Sequence, residues 1–315
     1  MPTLRMPDGN WLQDSSHIID ELEHLYPERS ITPTGTTQKL VSLLFELYGD
    51  EWLPMAALHY RWNTPANKEF ALTEFSRCAL PLFPRFVGRR LVASMAKKMQ
   101  SYLPVLGVTP TTQPGVEKMV ADLIQDLDIH LAAHSFLLGE RPCLGDFAIF
   151  GPLWAHLYRD PGSTCLFQSA PNVVKWMNAL LEPADIEGDF LGEDTIQETL
   201  VPILQRLFAE QIPWVATLVQ HINQWCDDNP ESKRVRGAVG TDTFTVGGIQ
   251  GQRKLATFVQ WKAQRPIFYY LNLGEAERTK VDTWLETFDA QGSLNIDIQY
   301  PFERRNFKAV IANRQ

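Results

Sequence analysis

Glu140–Arg159 reads ERPCLGDFAIFGPLWAHLYR. Pro142 sits where a chain enters a helix, and Asp146 falls three residues after Cys143. A small residue followed three later by an acid, ahead of an apolar run, is the pattern of an N-terminal capping box. The Asp146 carboxylate is suited to accept backbone N–H bonds and to complement the helix dipole. Beyond it, Phe147, Ile149, Phe150, Leu153, Trp154 and Leu157 leave almost no polar face. A helix apolar nearly all round belongs in the centre of a domain.

Cys143, Leu144, Gly145 and Asp146, followed by Phe-Ala-aliphatic-Phe and preceded by a Gly-Glu-Arg-Pro loop, resemble the core helix of the C-terminal domain of glutathione S-transferases. In that family the capping position is usually Ser or Thr. Cys143 is a poorer acceptor, so the cap is weakened, which bears on stability rather than chemistry. Ala170-Pro171-Asn172, then Val173, Val174, Trp176 and Met177, resembles the family's next helix. The resemblance covers roughly residues 1–230. The expected fold is mostly α: a partial thioredoxin-like α/β unit at 1–30, an all-α domain at 36–230, and an α+β tail at 233–315 packed on the helices.

The first residues carry the second signal. Met1-Pro2-Thr3-Leu4 reads as a short extended segment, Pro7-Asp8-Gly9 as a hairpin turn, and Asn10-Trp11-Leu12 as the returning strand. A helix starting at Gln13–Ser16 runs to Leu25, capped by Asp14 or Ser15. A strand led by proline, a hairpin, then an acid-Ser pair opening a helix resembles the second half of a glutathione transferase's thioredoxin-like domain. By that resemblance Met1 and Pro2 offer backbone groups to the cysteinyl part of glutathione. Asp14 and Ser15 hold its γ-glutamyl end, at the anion site of a helix start. Without a ligand, the same two residues make ordinary caps. The family's thiol-activating residue precedes this point and has no counterpart here, so the catalytic residue is unknown, and a start codon assigned too late is the favoured explanation.

His59-Tyr60-Arg61-Trp62 ends a long apolar helix that begins near Leu40. In the resemblance this helix lines both a homodimer interface, at 38–62, and the pocket for a small electrophile. Tyr60, Arg61 and Trp62 are pocket candidates, Arg61 for a carboxylate and Tyr60 as a hydroxyl donor. The competing reading has them plug the domain seam, with Arg61 stacked on Trp62. His130 and His134 stand at i and i+4, but no third ligand stands out, so no metal is expected.

The chain has 315 residues, 44% apolar and 21% charged, with net charge −8. These are ordinary values for a globular protein, and the acidic balance argues against a nucleic-acid partner. Cys78, Cys143, Cys165 and Cys226 show no paired spacing, which suits free thiols in a cytoplasmic protein. No signal segment or membrane-length apolar run is present, so no membrane partner is expected. Helices are expected within 66–101, broken at Pro81 and Pro84, then over 116–138, 172–181, 195–227 with a kink near Pro202 or Pro213, 254–264 and 275–290. Thr243–Val246 reads as a strand into a Gly-Gly turn, and 294–300 as a strand able to pair with 302–310. GGIQGQR lacks the GK[ST] of a phosphate loop. Gln260-Trp261 and Gln264-Arg265 resemble the tails of extended transferase-like proteins, and a tail this aromatic packs on the helices, covering the cleft. The function implied is glutathione binding, with conjugation of its thiol to an electrophile or exchange with disulfides. The alternative is a non-catalytic module of the same fold, used for dimerisation or docking.

Overall fold

A computed structural model describes residues 2–82, 84–182, 188–305 and 307–312. Met1 lies outside these residues.

The opening stretch forms α7, Leu144–Pro152, continued by a π-helical segment, Leu153–Tyr158. Pro152 ends the regular ladder, having no N–H to donate. The backbone slips to wider bonds, and Arg159 N donates to Trp154 O at 3.0 Å. Leu144, Ile149, Leu153 and Leu157 are buried. The expected all-round burial is not met, because Phe147 is exposed and Phe150 and Trp154 stack half-buried on one flank at 5.7 Å. The inner side of α7 packs on α2, Thr36–Glu51. That crossing is close: a Cβ on Gly49 would lie 2.3 Å from the Ala148 carbonyl oxygen, so only glycine fits.

The chain enters through a two-stranded antiparallel hairpin, β1 Thr3–Arg5 and β2 Trp11–Gln13, and then α1, Ser15–Leu25. The single long helix expected after Leu40 is two, α2 and α3, Pro54–Asn63. Pro54 starts the second helix at its first turn, where a missing N–H costs nothing. Leu40, Val41, Leu44 and Leu47 of α2 are fully buried. They are covered by this chain's own elements, α7 and the tail helix Phe258–Leu271 among them. α4, Pro65–Ala79, and α5, Arg85–Gln100, form a hairpin on α3, broken at the expected prolines. α6, Gln113–Leu131, ends earlier than the expected 138, since Phe136 and Gly139 instead form an isolated β-bridge. α8, Pro171–Leu181, packs on α6. α9, Val201–Arg206, and α10, Ile212–Asp228, are joined by a π-helical segment at Leu207–Gln211, which is how the kink expected near Pro213 is accommodated.

The tail opens with an antiparallel pair, β3 Ala238–Val246 and β4 Ile249–Ala256. Gly247 and Gly248 turn it with φ of +56° and +80°, the left-handed pair that a two-residue hairpin needs. α11, Phe258–Leu271, lies on α2, and α12, Glu275–Glu286, follows. Lys254–Ala256, expected in the helix, belong to β4, where Arg253 and Leu255 alternate inward with exposed Lys254. β5, Phe302–Arg305, pairs with β6, Lys308–Ile311. Residues 294–300 form no strand. Their alternation instead buries Leu294, Ile296 and Ile298. Asn223 of α10 serves their backbone in place of a ladder, donating to Asp297 O at 2.8 Å and accepting from Gln299 N at 3.3 Å. Leu255, Ile267, Tyr270 and Leu285 of the tail share one continuous core with Leu40, Leu123 and Ile149. No helix among the described residues is long and apolar enough to cross a membrane.

Candidate functional site

The β1–β2 hairpin delivers Asp14 to the start of α1. Asp14 N donates to Pro2 O at 3.2 Å, closing the hairpin, and the carboxylate accepts from Ser16 N at 3.2 Å as the helix cap. Its φ of 92° is unusual for a residue with a side chain, so surrounding contacts must hold it.

Those contacts come from the tail. Lys262 of α11 donates to Asp14 at 3.0 Å, to Asp50 of α2 at 2.8 Å, and to Ser16 Oγ at 2.6 Å. All three ammonium donors are used. Ser16 Oγ in turn donates to Glu46 of α2. Arg265, one turn along α11, donates its Nε to Glu46 at 2.7 Å and its Nη2 to Asp20 at 2.8 Å. Lys262 and Asp14 are each only 4% exposed. Burial pulls the Lys262 ammonium down, but Asp50 and then Asp14 and Glu46 outweigh it and hold it above the ordinary lysine value. Arg265 is likewise held above its usual value: burial opposes this, and Asp20 and Glu46 prevail. Beside the cluster, burial and the neighbouring Asp50 push Glu51 up to about 7.

The acid-Ser pair is therefore divided. Asp14 is buried and ion-paired, Ser15 is half-buried, and Ser16 supplies the hydroxyl of the network. Pro2 is exposed. A cavity of about 210 Å³ adjoins the cluster, lined by His17, Asp20, Trp261, Gln264, Arg265 and Phe268. A larger one, about 620 Å³, opens between the end of α1 and residues 189–194, where Arg141 donates to Ser30 O at 2.7 Å.

Tyr60, Arg61 and Trp62 diverge rather than converge. Arg61 grips Asp160 with two bonds of 2.8 and 2.7 Å and donates to Ala155 O at 2.6 Å. Asp160 is fully buried, so this pair bolts α3 to the end of the core helix. Trp62 packs on Phe75 of α4 instead of on Arg61. Tyr60 stands edge-on to His59, and burial pushes its hydroxyl up to about 12. At the core helix the carboxylate half of the box is formed: Asp146 accepts from Cys143 N at 2.9 Å, and also from Leu137 N and Trp176 Nε1. Burial raises Asp146 to about 6 and holds the Cys143 thiol well above its usual value. His130 bonds Thr199 at 2.7 Å and Phe136 O at 3.3 Å, as a core histidine does. No metal-binding group of three or more acidic, His or Cys side chains occurs among the described residues.

Lys262, Glu46 and Asp50 were not singled out from the sequence, and Arg265 only as half of the Gln264-Arg265 pair of the tail. The signal was available: Lys262 and Arg265 stand at i and i+3 as the charged residues of VQWKAQRPIF, and Glu46 and Asp50 at i and i+4 in a helix of buried leucines.

A comparison with curated proteins finds no match to the chain. Residues 109–183, spanning α6, α7 and α8, match the family model of the glutathione S-transferase C-terminal domain. With the core-helix cap inside that match and a helical bundle built around it, this part of the chain is similar to the C-terminal domain of glutathione S-transferases.

Proposed function

We propose that the chain acts as a non-catalytic module of the glutathione-transferase fold, its γ-glutamyl end sealed by its own tail. One observation carries this reading: Lys262 sits on Asp14 where a ligand's amine would sit, and the pair is almost wholly buried. An ammonium on a carboxylate, with a serine hydroxyl beside it, is the contact set expected for the amino end of glutathione. Here the protein supplies it internally. Cys78, Cys143 and Cys165 form no disulfide, which supports a reducing compartment such as the cytoplasm.

The competing reading is glutathione binding, with attack of its thiol on a small electrophile or a disulfide, in a homodimer. The family match supports it, as does Asp14 at the start of α1. In this chain it requires Lys262 to withdraw.

The test is calorimetric titration of reduced glutathione into the full chain and into Lys262→Met. The sealed-module reading expects no heat from the parent chain. Heat from Lys262→Met alone means a latent pocket beneath the seal and supports the module reading. Binding by the parent in the millimolar range or tighter overturns it.

A further inference from the structure

Residues 75–116 contain Arg77, Arg85, Arg89, Arg90, Lys97 and Lys98 and not one Asp or Glu, in a chain whose net charge is −8. This stretch holds the end of α4, all of α5 and the start of α6. The inner side of α5 is closed: Gly88, Val92 and Ala96 are buried, and Gly88 meets Ser76 of α4 too closely to admit a Cβ. Its outer side carries Leu91, Met95 and Lys98, spaced as one stripe along the helix, and Tyr102 follows in the turn just past its end. Leu91, Met95 and Tyr102 are 54%, 41% and 41% exposed, and Leu82, in the turn between α4 and α5, is 94% exposed. Arg90, Lys97 and Lys98 are exposed along the same helix, and no described carboxylate pairs with them. The nearby acids of α4 are occupied, Glu69 by Arg89 and Glu74 by Arg77 and Arg159.

We propose that the outer face of α5, with the α4–α5 turn, docks the protein on an anionic lipid surface. A second copy would set this face, with its cations and no acid, against its own like charges, so a second copy is a poor occupant. A row of shallow apolar side chains flanked by cations on a convex helix matches a planar layer with apolar depth and negative headgroups. The acidic remainder of the chain orients the basic face toward such a layer. This revises the expectation of no membrane partner, which rested on the lack of a spanning segment. The proposal is independent of whether the Asp14 site takes a ligand.

The full chain is co-sedimented with phosphatidylcholine vesicles, with and without about 30 mol% phosphatidylserine. Partition onto the serine-containing vesicles alone is expected, fading as salt rises from about 0.1 M to about 0.5 M. The variant Arg90→Glu/Lys97→Glu/Lys98→Glu changes only exposed side chains, and an unchanged thermal unfolding curve confirms that it folds. Each lost cation lowers partition about 5-fold, so its binding falls on the order of 100-fold or more. Leu82→Ser/Leu91→Ser/Met95→Ser is a second variant and weakens binding while leaving the salt dependence in place. No partition at low salt overturns the proposal, as does equal binding by the charge-reversed variant. A concentration-dependent dimer abolished by Leu91→Ser/Met95→Ser, without vesicle binding, overturns it in favour of self-association.

Discussion

Replacing Lys262 by Met keeps the aliphatic stem in its packed place and removes only the ammonium. Three donated bonds vanish, to Asp14, Asp50 and Ser16. Stripping one partner from a buried ion pair costs about 3–5 kcal/mol, because the other charge is left without compensation. Two features place this site at the lower end. Asp50 is a quarter exposed and regains water, and Arg265 stays in place to balance Glu46. The expected loss is therefore about 3 kcal/mol. The assay is urea unfolding, followed by tryptophan fluorescence and by far-ultraviolet circular dichroism. Asp14→Asn completes a double-mutant cycle. Asn retains an acceptor for Ser16 N and tolerates positive φ, so it removes the charge while keeping the cap. A coupling of about 2 kcal/mol between the two substitutions is expected, since neighbours in one ion network do not add. A loss below about 1 kcal/mol for Lys262→Met, together with a coupling indistinguishable from zero, refutes the claim that this ion pair pins the tail.

Ending the chain after residue 232 removes Lys262 and Arg265 and opens the core shared with Leu255, Ile267 and Tyr270; the expected product lacks cooperative unfolding, checked by thermal melting, and an unchanged melting point contradicts the shared core. Arg61→Met leaves the fully buried Asp160 without its bidentate partner, an expected loss of about 3–5 kcal/mol by urea unfolding. His130 is lowered to about 4 by burial. An unfolded histidine takes its proton near 6.5, so this group's contribution is present above that pH and is lost as pH falls toward 4. His130→Asn therefore flattens the stability-versus-pH curve between those limits, and an unaltered slope speaks against a buried neutral ring. Cys143→Ser installs a stronger acceptor at the cap of α7 and is expected to raise stability by about 0.5–1 kcal/mol in chemical unfolding.

The helical domain was legible because its signals are local. Cys143 and Asp146 mark a helix start within four residues, and Pro81, Pro84 and the 247–248 glycines mark breaks by their own backbone restrictions. What failed was non-local. Residues 294–300 carry a strand's alternation, but alternation reports only a buried side, and the missing ladder partner is a matter of which element lies opposite. Here it is the side chain of Asn223, more than seventy residues away. Arg61 shows the same limit. A guanidinium beside two aromatics reads as a pocket until Asp160, ninety-nine residues on, is placed against it.

The tail is where local reading and tertiary fact part furthest, and Arg253 shows why. On a strand whose Lys254 is exposed, an arginine reads as solvated. Its guanidinium lies instead 4.9 Å from the Trp52 ring, 5.6 Å from Trp214 and 5.9 Å from Phe244, and donates to Glu51 O at 2.8 Å. Burial lowers it to about 10. Trp52 belongs to the turn after α2, Trp214 to α10 and Phe244 to β3, so one side chain of the tail joins the two faces it covers. Lys262 and Arg265, nine and twelve residues later, repeat the arrangement against the carboxylates of α1, its cap and α2. Three cations on β4 and α11, Arg253 and Lys262 buried and Arg265 partly so, thus meet the acids and aromatic faces of the preceding chain. Burying a charge is costly unless its partner is already in place. A tail that spends three of them on one seam is fixed there, which is why the Asp14 end of the fold cannot be understood without it.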